Sequence, residues 1–269
     1  MIIEKNSIKI DLPKSLEEFD YFSCEPFHHF VKHNFIDTSS FNMLVSEIHE
    51  FEDFDYAFTG KGDKSKRSIN GSNVSKLAEG TFKNFCLLFF DKRFYNWFKS
   101  THLPHFRSAP LTIYCTKPRS QILKIFAKLS KFLKLPLTFF YTEIEYSSIK
   151  EAGFIPPHTD SGKKRLSFVI YLPDPKIVLS NEMKSQLGTV FWEPKDRTVA
   201  LLDRFDCSLL MGEERSSFYR YYKKKFTAQY APNCMVGFVK SSNSWHSVEP
   251  WSFPYDRRAI VINIWSINN

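Results

Sequence analysis

The sequence predicts a mixed α+β fold, with helices concentrated in the first half and an antiparallel β sandwich or barrel in the second. Three observations carry this. From Leu137 onward short β-rich runs follow one another between turns, LTFFYTEIEY, RLSFVIYL, GTVFWEP, MVGFVK and RAIVINIW, with no alternating helices. Before them, residues 119–135 repeat apolar side chains at helical spacing. A chain of 269 residues that is 43% hydrophobic, with 28 Phe and 12 Tyr, can fill one sizeable core without covalent staples.

In chain order, a single domain is expected. Residues 1–136 form a mainly helical support region with a few strands, and residues 137–269 form the β core. The run from Pro26 to Val31 leads into a strand-like Asn34-Phe35-Ile36. Thr38, Ser39 and Ser40 then offer N-caps for a helix through Met43, Leu44, Ile48 and Phe51. Residues 60–74, GKGDKSKRSINGSNV, read as an exposed loop. One long aromatic helix is expected from about Ser75 to Lys99. In 119–135, Ile122, Ile125, Phe126, Leu129, Phe132 and Leu133 share one helix face and Lys124, Lys128, Lys131 and Lys134 another. This suits a helix packed on a sheet with its lysines in water, ended by Pro136. Ser208 to Lys225 can form a further short helix. The long 188–235 stretch carries R-Y-Y-K-K-K-F, to which no role attaches.

The net charge of +8 comes with no low-complexity basic tail and no RGG run, so a lysine-rich solvated surface is the reading preferred over nucleic acid. Cys24, Cys86, Cys115, Cys207 and Cys234 are scattered, odd in number and without C-x-x-C spacing. A reducing compartment is expected. No apolar run has the length of a membrane span, and the first residues match neither signal nor transit peptide, so a cytoplasmic location is the default.

His158 and Asp160 form the only H-x-D of the chain, and His246 follows 86 residues after Asp160. Two imidazoles and one carboxylate on one side of an ion are the usual ligands of non-haem Fe(II) oxygenases. Read as a strand, residues i and i+2 share a face, which lets His158 and Asp160 bind one metal while His246 arrives from a remote strand. The triplet is short enough to arise by chance, so its weight comes from context. Arg257 opens a strand in which Arg257, Ala259, Val261, Asn263 and Trp265 share one face and Ile260, Ile262 and Ile264 the other. A guanidinium at the mouth of an apolar barrel needs an anion, and its fork suits a carboxylate.

The second half resembles the Fe(II)- and 2-oxoglutarate-dependent oxygenases, particularly the prolyl-4-hydroxylase-like branch. The segments that carry the resemblance occur in the family's order: E-Y, P-H-T-D, L-S-F-V-I-Y-L, G-T-V-F-W, M-V-G-F-V-K, W-H-S-V-E-P, R-R-A-I and a terminal Trp. They span about Tyr146 to Trp265. E-P-F-H-H-F-V near the N-terminus resembles the opening segment of that branch. The resemblance implies a double-stranded β-helix (jelly-roll, cupin-like) core, with His158, Asp160 and His246 ligating Fe(II). It implies Arg257 pairing with the distal carboxylate of 2-oxoglutarate, Tyr171 reaching the same carboxylate, Ser167 assisting on that face and Tyr146 lining the cosubstrate site. Arg258 is the adjacent alternative to Arg257, but alternation sends it to the other face. The implied reaction consumes O2 and 2-oxoglutarate, with ascorbate as an optional reductant, and yields succinate, CO2 and a hydroxylated small molecule or protein side chain. A nucleic-acid dealkylase of the same superfamily places a second Arg six residues after the clamp, where this chain has Asn263. A barrel that binds metal or ligand without turnover, and a zinc hydrolase, are the other readings; the second gives Arg257 no purpose.

Overall fold

The computed structural model describes residues 1–49, 64–70, 74–101, 111–114, 125, 128–129, 131–133, 137–151, 153–196 and 209–267. Its elements are β1 (Ile2–Lys5), β2 (Ile8–Asp11), β3 (Tyr21–Ser23), β4 (His29–Lys32), α1 (Thr38–His49), β5 (Lys64–Asn70), α2 (Thr81–Leu88), α3 (Lys92–Thr101), β6 (Leu111–Tyr114), β7 (Leu137–Ile149), β8 (Ile155–His158), β9 (Lys164–Tyr171), α4 (Asn181–Gln186), β10 (Thr189–Pro194), α5 (Gly212–Tyr221), β11 (Tyr222–Ala228), β12 (Met235–Val239), β13 (His246–Val248) and β14 (Arg257–Ser266). Most of the proposed 119–135 helix lies outside the described residues. No described helix is long and apolar enough to cross a membrane.

Two sheets organise the chain. The larger runs β3-β4-β12-β9-β14-β7-β5, with β6 also pairing β7, and the smaller runs β11-β10-β13-β8. Every pairing is antiparallel except β6 with β7. Alternation along β14 assigns its faces: Ile260, Ile262 and Ile264 pack in one cluster with the aromatic residues of α2 and α3, among them Phe85, Phe94 and Trp97. Ala259 and Val261 pack in another, with Val169 and Tyr171 of β9, Val236 and Phe238 of β12, Phe191 of β10 and Val248 of β13. The second cluster is therefore the filling between the two sheets. A third, formed by Val190, Trp192, Phe218, Tyr222 and Trp245, covers the outer face of the smaller sheet with α5. Asn233, just before β12, accepts from the Ile36 amide at 2.8 Å and donates to the Ile36 carbonyl, tying the first forty residues to the β core.

Four expectations change. Residues 64–70 are not loop: β5 pairs with β7 from Lys64↔Ile149 to Asn70↔Glu143. Residues 60–63 and 71–73 lie outside the described residues. The KSKRSIN run lacks apolar alternation because a strand at a sheet edge is held through its backbone, and charged residues suit an edge. The aromatic helix is broken in two at Phe89-Phe90-Asp91, because Asp91 caps a new helix by accepting from the Arg93 amide at 2.7 Å. The cap of α1 is Asp37 rather than the hydroxyl residues after it: its carboxylate accepts from the Ser40 amide at 3.2 Å and from the Ser39 hydroxyl at 2.6 Å. Finally, the helix expected over 208–225 stops at Tyr221 and the chain continues as β11, in which Lys223 and Lys225 pair with Glu193 across the sheet.

His29 lies wholly buried on β4 among Phe27, Phe191 and Phe226. Its Nδ1–H donates to the Phe27 carbonyl at 2.7 Å, and Nε2 has no partner. Burial lowers its pKa below the ordinary value of 6.5. The unfolded chain then binds the proton more readily than the native one, so native stability falls as pH drops through and below 6.5. His29→Phe is expected to flatten this dependence. Urea unfolding midpoints measured from pH 7.5 down to about 5 should decline more steeply for the wild type than for the variant.

Candidate metal centre

The smaller sheet brings the two histidines together. His246 on β13 is register partner to His158 on β8 and, on its other side, to Phe191 on β10. The imidazole centroids lie 4.1 Å apart. Asp160 completes the group, and one ligand atom from each of the three residues falls within 4.8 Å of the others. His158 Nε2 is 3.6 Å from Asp160 Oδ1, and His246 Nε2 is 3.7 Å from Oδ2. Both spans are below about 4.2 Å, twice the length of a first-row metal–ligand bond.

Asp160 does not reach this position by strand alternation. β8 ends at His158, and Asp160 adopts a left-handed backbone with φ 69°. Aspartate is among the few residues that tolerate this conformation. The turn folds the carboxylate back over the histidines.

The hydrogen bonds around the group fix its chemistry. His158 Nδ1–H donates to the Pro156 carbonyl and His246 Nδ1–H to the Ser244 carbonyl, each at 2.9 Å. Both rings therefore present the Nε2 lone pair inward, in the tautomer a metal requires. Burial, reinforced by His158, pulls His246 down to about 3, so it is neutral at physiological pH. Asp160 is buried, which by itself opposes ionisation. Lys164 first, then His246 and His158, nonetheless hold it well below the usual carboxylate range. Lys164 Nζ donates to Asp160 Oδ1 at 2.8 Å, while Oδ2 has no hydrogen-bond partner. Two imidazoles held by backbone carbonyls at Nδ1 and an ionised carboxylate with an unmatched oxygen are a donor set that fits a divalent transition metal. Phe238 packs on His246 at 4.4 Å between centroids and, with Phe191, keeps that side dry.

Arg257 lies at the start of β14 on the face between the sheets and is 3% exposed. Its Nε–H donates to the Leu187 carbonyl at 2.7 Å and an Nη2–H to Thr189 Oγ1 at 3.2 Å. Its guanidinium carbon sits 5.3 Å from the Tyr171 ring centre and 5.8 Å from that of Tyr230. Among the described residues no carboxylate forms an ion pair with it. Tyr171 meets the same threonine: its hydroxyl donates to Thr189 Oγ1 at 2.8 Å and accepts from the Thr189 amide at 3.1 Å. Burial raises the Tyr171 pKa, so the hydroxyl stays protonated. Thr189 lies two residues, about 7 Å, along β10 from Phe191, whose register partner is His246.

Ser167 shares the inter-sheet face of β9 with Tyr171, but its hydroxyl donates to Asn263 Oδ1 at 2.9 Å and not toward Arg257. Tyr146 packs with Ile260 and Ile144 on the helix-covered face of the larger sheet, the opposite side from Arg257. Burial raises its pKa, with the Arg258 charge opposing. Arg258, too, is directed away from Arg257 and lies 3.9 Å from Asp256. Sequence reasoning passed over Lys164, four residues beyond Asp160, and Thr189, whose place in G-T-V-F-W is where the Arg257 and Tyr171 strands converge.

No protein-family model and no curated protein sequence matches this chain. Solved structures similar to it include a prolyl-4-hydroxylase from Pseudomonas putida, at 11% identity and a TM-score of 0.45 over 90% of this chain and 92% of that one. A Trichoplax adhaerens prolyl hydroxylase, in complex with a peptide fragment of the hypoxia inducible factor oxygen degradation domain, is similar at 10% identity and a TM-score of 0.47 over 88% of this chain and 83% of that one. HygX from Streptomyces hygroscopicus, with nickel and 2-oxoglutarate bound, is similar at 10% identity and a TM-score of 0.46 over 88% and 82%.

Proposed function

We propose that this chain is an Fe(II)- and 2-oxoglutarate-dependent oxygenase of the prolyl-4-hydroxylase-like branch. Its two facing sheets would be a double-stranded β-helix, and it would hydroxylate a substrate with formation of succinate and CO2. One observation carries the reading: a buried His158/Asp160/His246 group stands in the same inter-sheet space as Arg257, a buried guanidinium with no carboxylate partner among the described residues. A hydrolytic metal site has no use for the second feature, and a metal store has no use for either the clamp or its aromatic walls.

In this reading His158 and His246 bind iron through Nε2, with Pro156 and Ser244 holding the rings in register. Asp160 supplies the anionic ligand. Iron there would supply the redox chemistry that joins O2 to the decarboxylation of 2-oxoglutarate. Arg257 takes the distal carboxylate, oriented by Leu187 and Thr189, and Tyr171 is positioned through Thr189. Phe191 and Phe238 exclude water beside His246.

Anaerobic addition of Fe(II) and then 2-oxoglutarate tests the assignment. A weak visible charge-transfer band is expected in the wild type, requiring both additions, and its loss in His158→Ala. Fe(II) uptake with no band and no effect of 2-oxoglutarate would leave a metal-binding barrel or hydrolase in its place.

A further inference from the structure

The basic character of the chain is concentrated in one stretch. Ten Lys and Arg and no Asp or Glu fall between Asp91 and Glu143, against a net charge of +8 for all 269 residues, so the remainder is close to neutral. Within this stretch β6 and β7 run parallel, and the chain between them has to cross back along the sheet. Such a crossover is usually a helix that lays its apolar stripe on the sheet. Ile125, Lys128, Leu129, Lys131 and Phe132 are helical, and the Leu133 amide donates to the Leu129 carbonyl at 2.8 Å. The apolar side chains here stand in solvent: Ile125 is 63% exposed, Leu129 45%, Phe132 82% and Leu133 52%. Their spacing puts all four on one stripe of the helix, and Lys128 and Lys131, also exposed, flank it on one side. Single exposed hydrophobics are ordinary, whereas an apolar stripe bordered by charge marks an interaction surface.

The charge decides what covers it. A second copy meeting this stripe about a two-fold axis would bring the lysines of both copies together. A nucleic-acid backbone would meet the lysines but has no use for four apolar side chains. An anionic bilayer meets both: acyl chains receive the stripe, and acidic headgroups receive the lysines. We infer that this helix lies on the anionic surface of a lipid bilayer, with Ile125, Leu129, Phe132 and Leu133 sunk below the headgroups and Lys128 and Lys131 among them. This is attachment to one face of the membrane and involves no span. It stands apart from the oxygenase reading and needs neither metal nor 2-oxoglutarate.

The test sediments the full chain with vesicles of phosphatidylcholine alone and of phosphatidylcholine mixed with phosphatidylserine. The wild type is expected to follow the vesicles that contain phosphatidylserine and to be released from them by added salt. Lys128→Gln/Lys131→Gln should weaken binding about twentyfold, because each lysine near an anionic surface is worth about fivefold. Leu129→Ser/Phe132→Ser keeps every charge and should abolish binding, which separates the stripe from the general attraction of a basic protein. Lys223→Gln/Lys224→Gln removes two exposed charges from β11, at the edge of the other sheet, and should leave binding unchanged. The comparison of vesicles on the wild type needs no variant and stands if any fails to fold. No sedimentation with either vesicle, equal binding to both, or undiminished binding by Leu129→Ser/Phe132→Ser overturns the inference. So does a wild-type dimer in light scattering that this variant dissolves, which gives the stripe to a second copy. Binding to duplex DNA in place of vesicles overturns it as well, and gives the lysines to nucleic acid.

Discussion

Asp160→Asn is expected to give a folded protein whose Fe(II) affinity falls by well over a hundredfold. The backbone tolerates the change, because asparagine accepts the left-handed φ of 69° nearly as well as aspartate. The two imidazoles remain fixed through Pro156 and Ser244. What disappears is the one anionic ligand. Losing an outer partner of a metal ligand costs about ten- to a hundredfold, and losing the ligand itself costs more. The variant also leaves Lys164, only 13% exposed at its side chain, without its carboxylate. Its four-carbon stem allows the ammonium to reach water, which limits the destabilisation of the metal-free protein to about 1–3 kcal/mol, below the full cost of an unpaired buried charge. Fe(II) titration and urea unfolding of the metal-free protein measure the two effects separately. Asp160→Asn binding iron as tightly as the wild type would show that the carboxylate is no ligand, and that its role is the ion pair with Lys164.

How much of this was legible in the sequence follows from what each signal depends on. The five β-rich runs of the second half fall on β7, β9, β10, β12 and β14, because apolar alternation is read directly by a sheet with two covered faces. The two faces of β14 were legible for the same reason: Ile260, Ile262 and Ile264 meet the helices, while Ala259, Val261 and hence Arg257 turn inward. β5 was illegible because its place is set by the free edge of β7 and not by its own polar side chains. The convergence of Asp160 on the histidines was expected for the wrong local reason. A left-handed turn after β8 does what alternation was thought to do, and a single Asp carries no reliable signal of positive φ. Tyr146 shows the converse limit. Its identity suits a cosubstrate pocket, but its parity along β7 places it with Ile144 on the helix side.

Arg257→Met is expected to abolish 2-oxoglutarate-dependent succinate formation without destabilising the ligand-free protein. In the absence of an anion the guanidinium is buried against two tyrosine rings, with only the Leu187 carbonyl and Thr189 hydroxyl as hydrogen-bond acceptors among the described residues. Desolvating a charge in this way opposes folding, and replacing buried ionic groups by apolar ones of similar volume is often neutral or stabilising by about 1–4 kcal/mol. Methionine fills much of the same space between Tyr171 and Tyr230 and asks for no anion. Binding carries the opposite sign. A carboxylate that meets methionine in place of the fork loses a buried, charge-assisted pair, at a cost of about 2–5 kcal/mol, or about thirty- to several thousandfold in affinity. The increment in thermal midpoint that 2-oxoglutarate gives the iron-loaded wild type should therefore vanish, while the midpoint without ligand stays level or rises. Arg257→Lys separates charge from shape: a point charge without the planar fork should recover only part of the affinity. Should Arg257→Met instead lose several kcal/mol with no ligand present and keep its response to 2-oxoglutarate, the guanidinium would be a structural bridge from β14 to Leu187 and Thr189, and the carboxylate clamp would have to lie elsewhere.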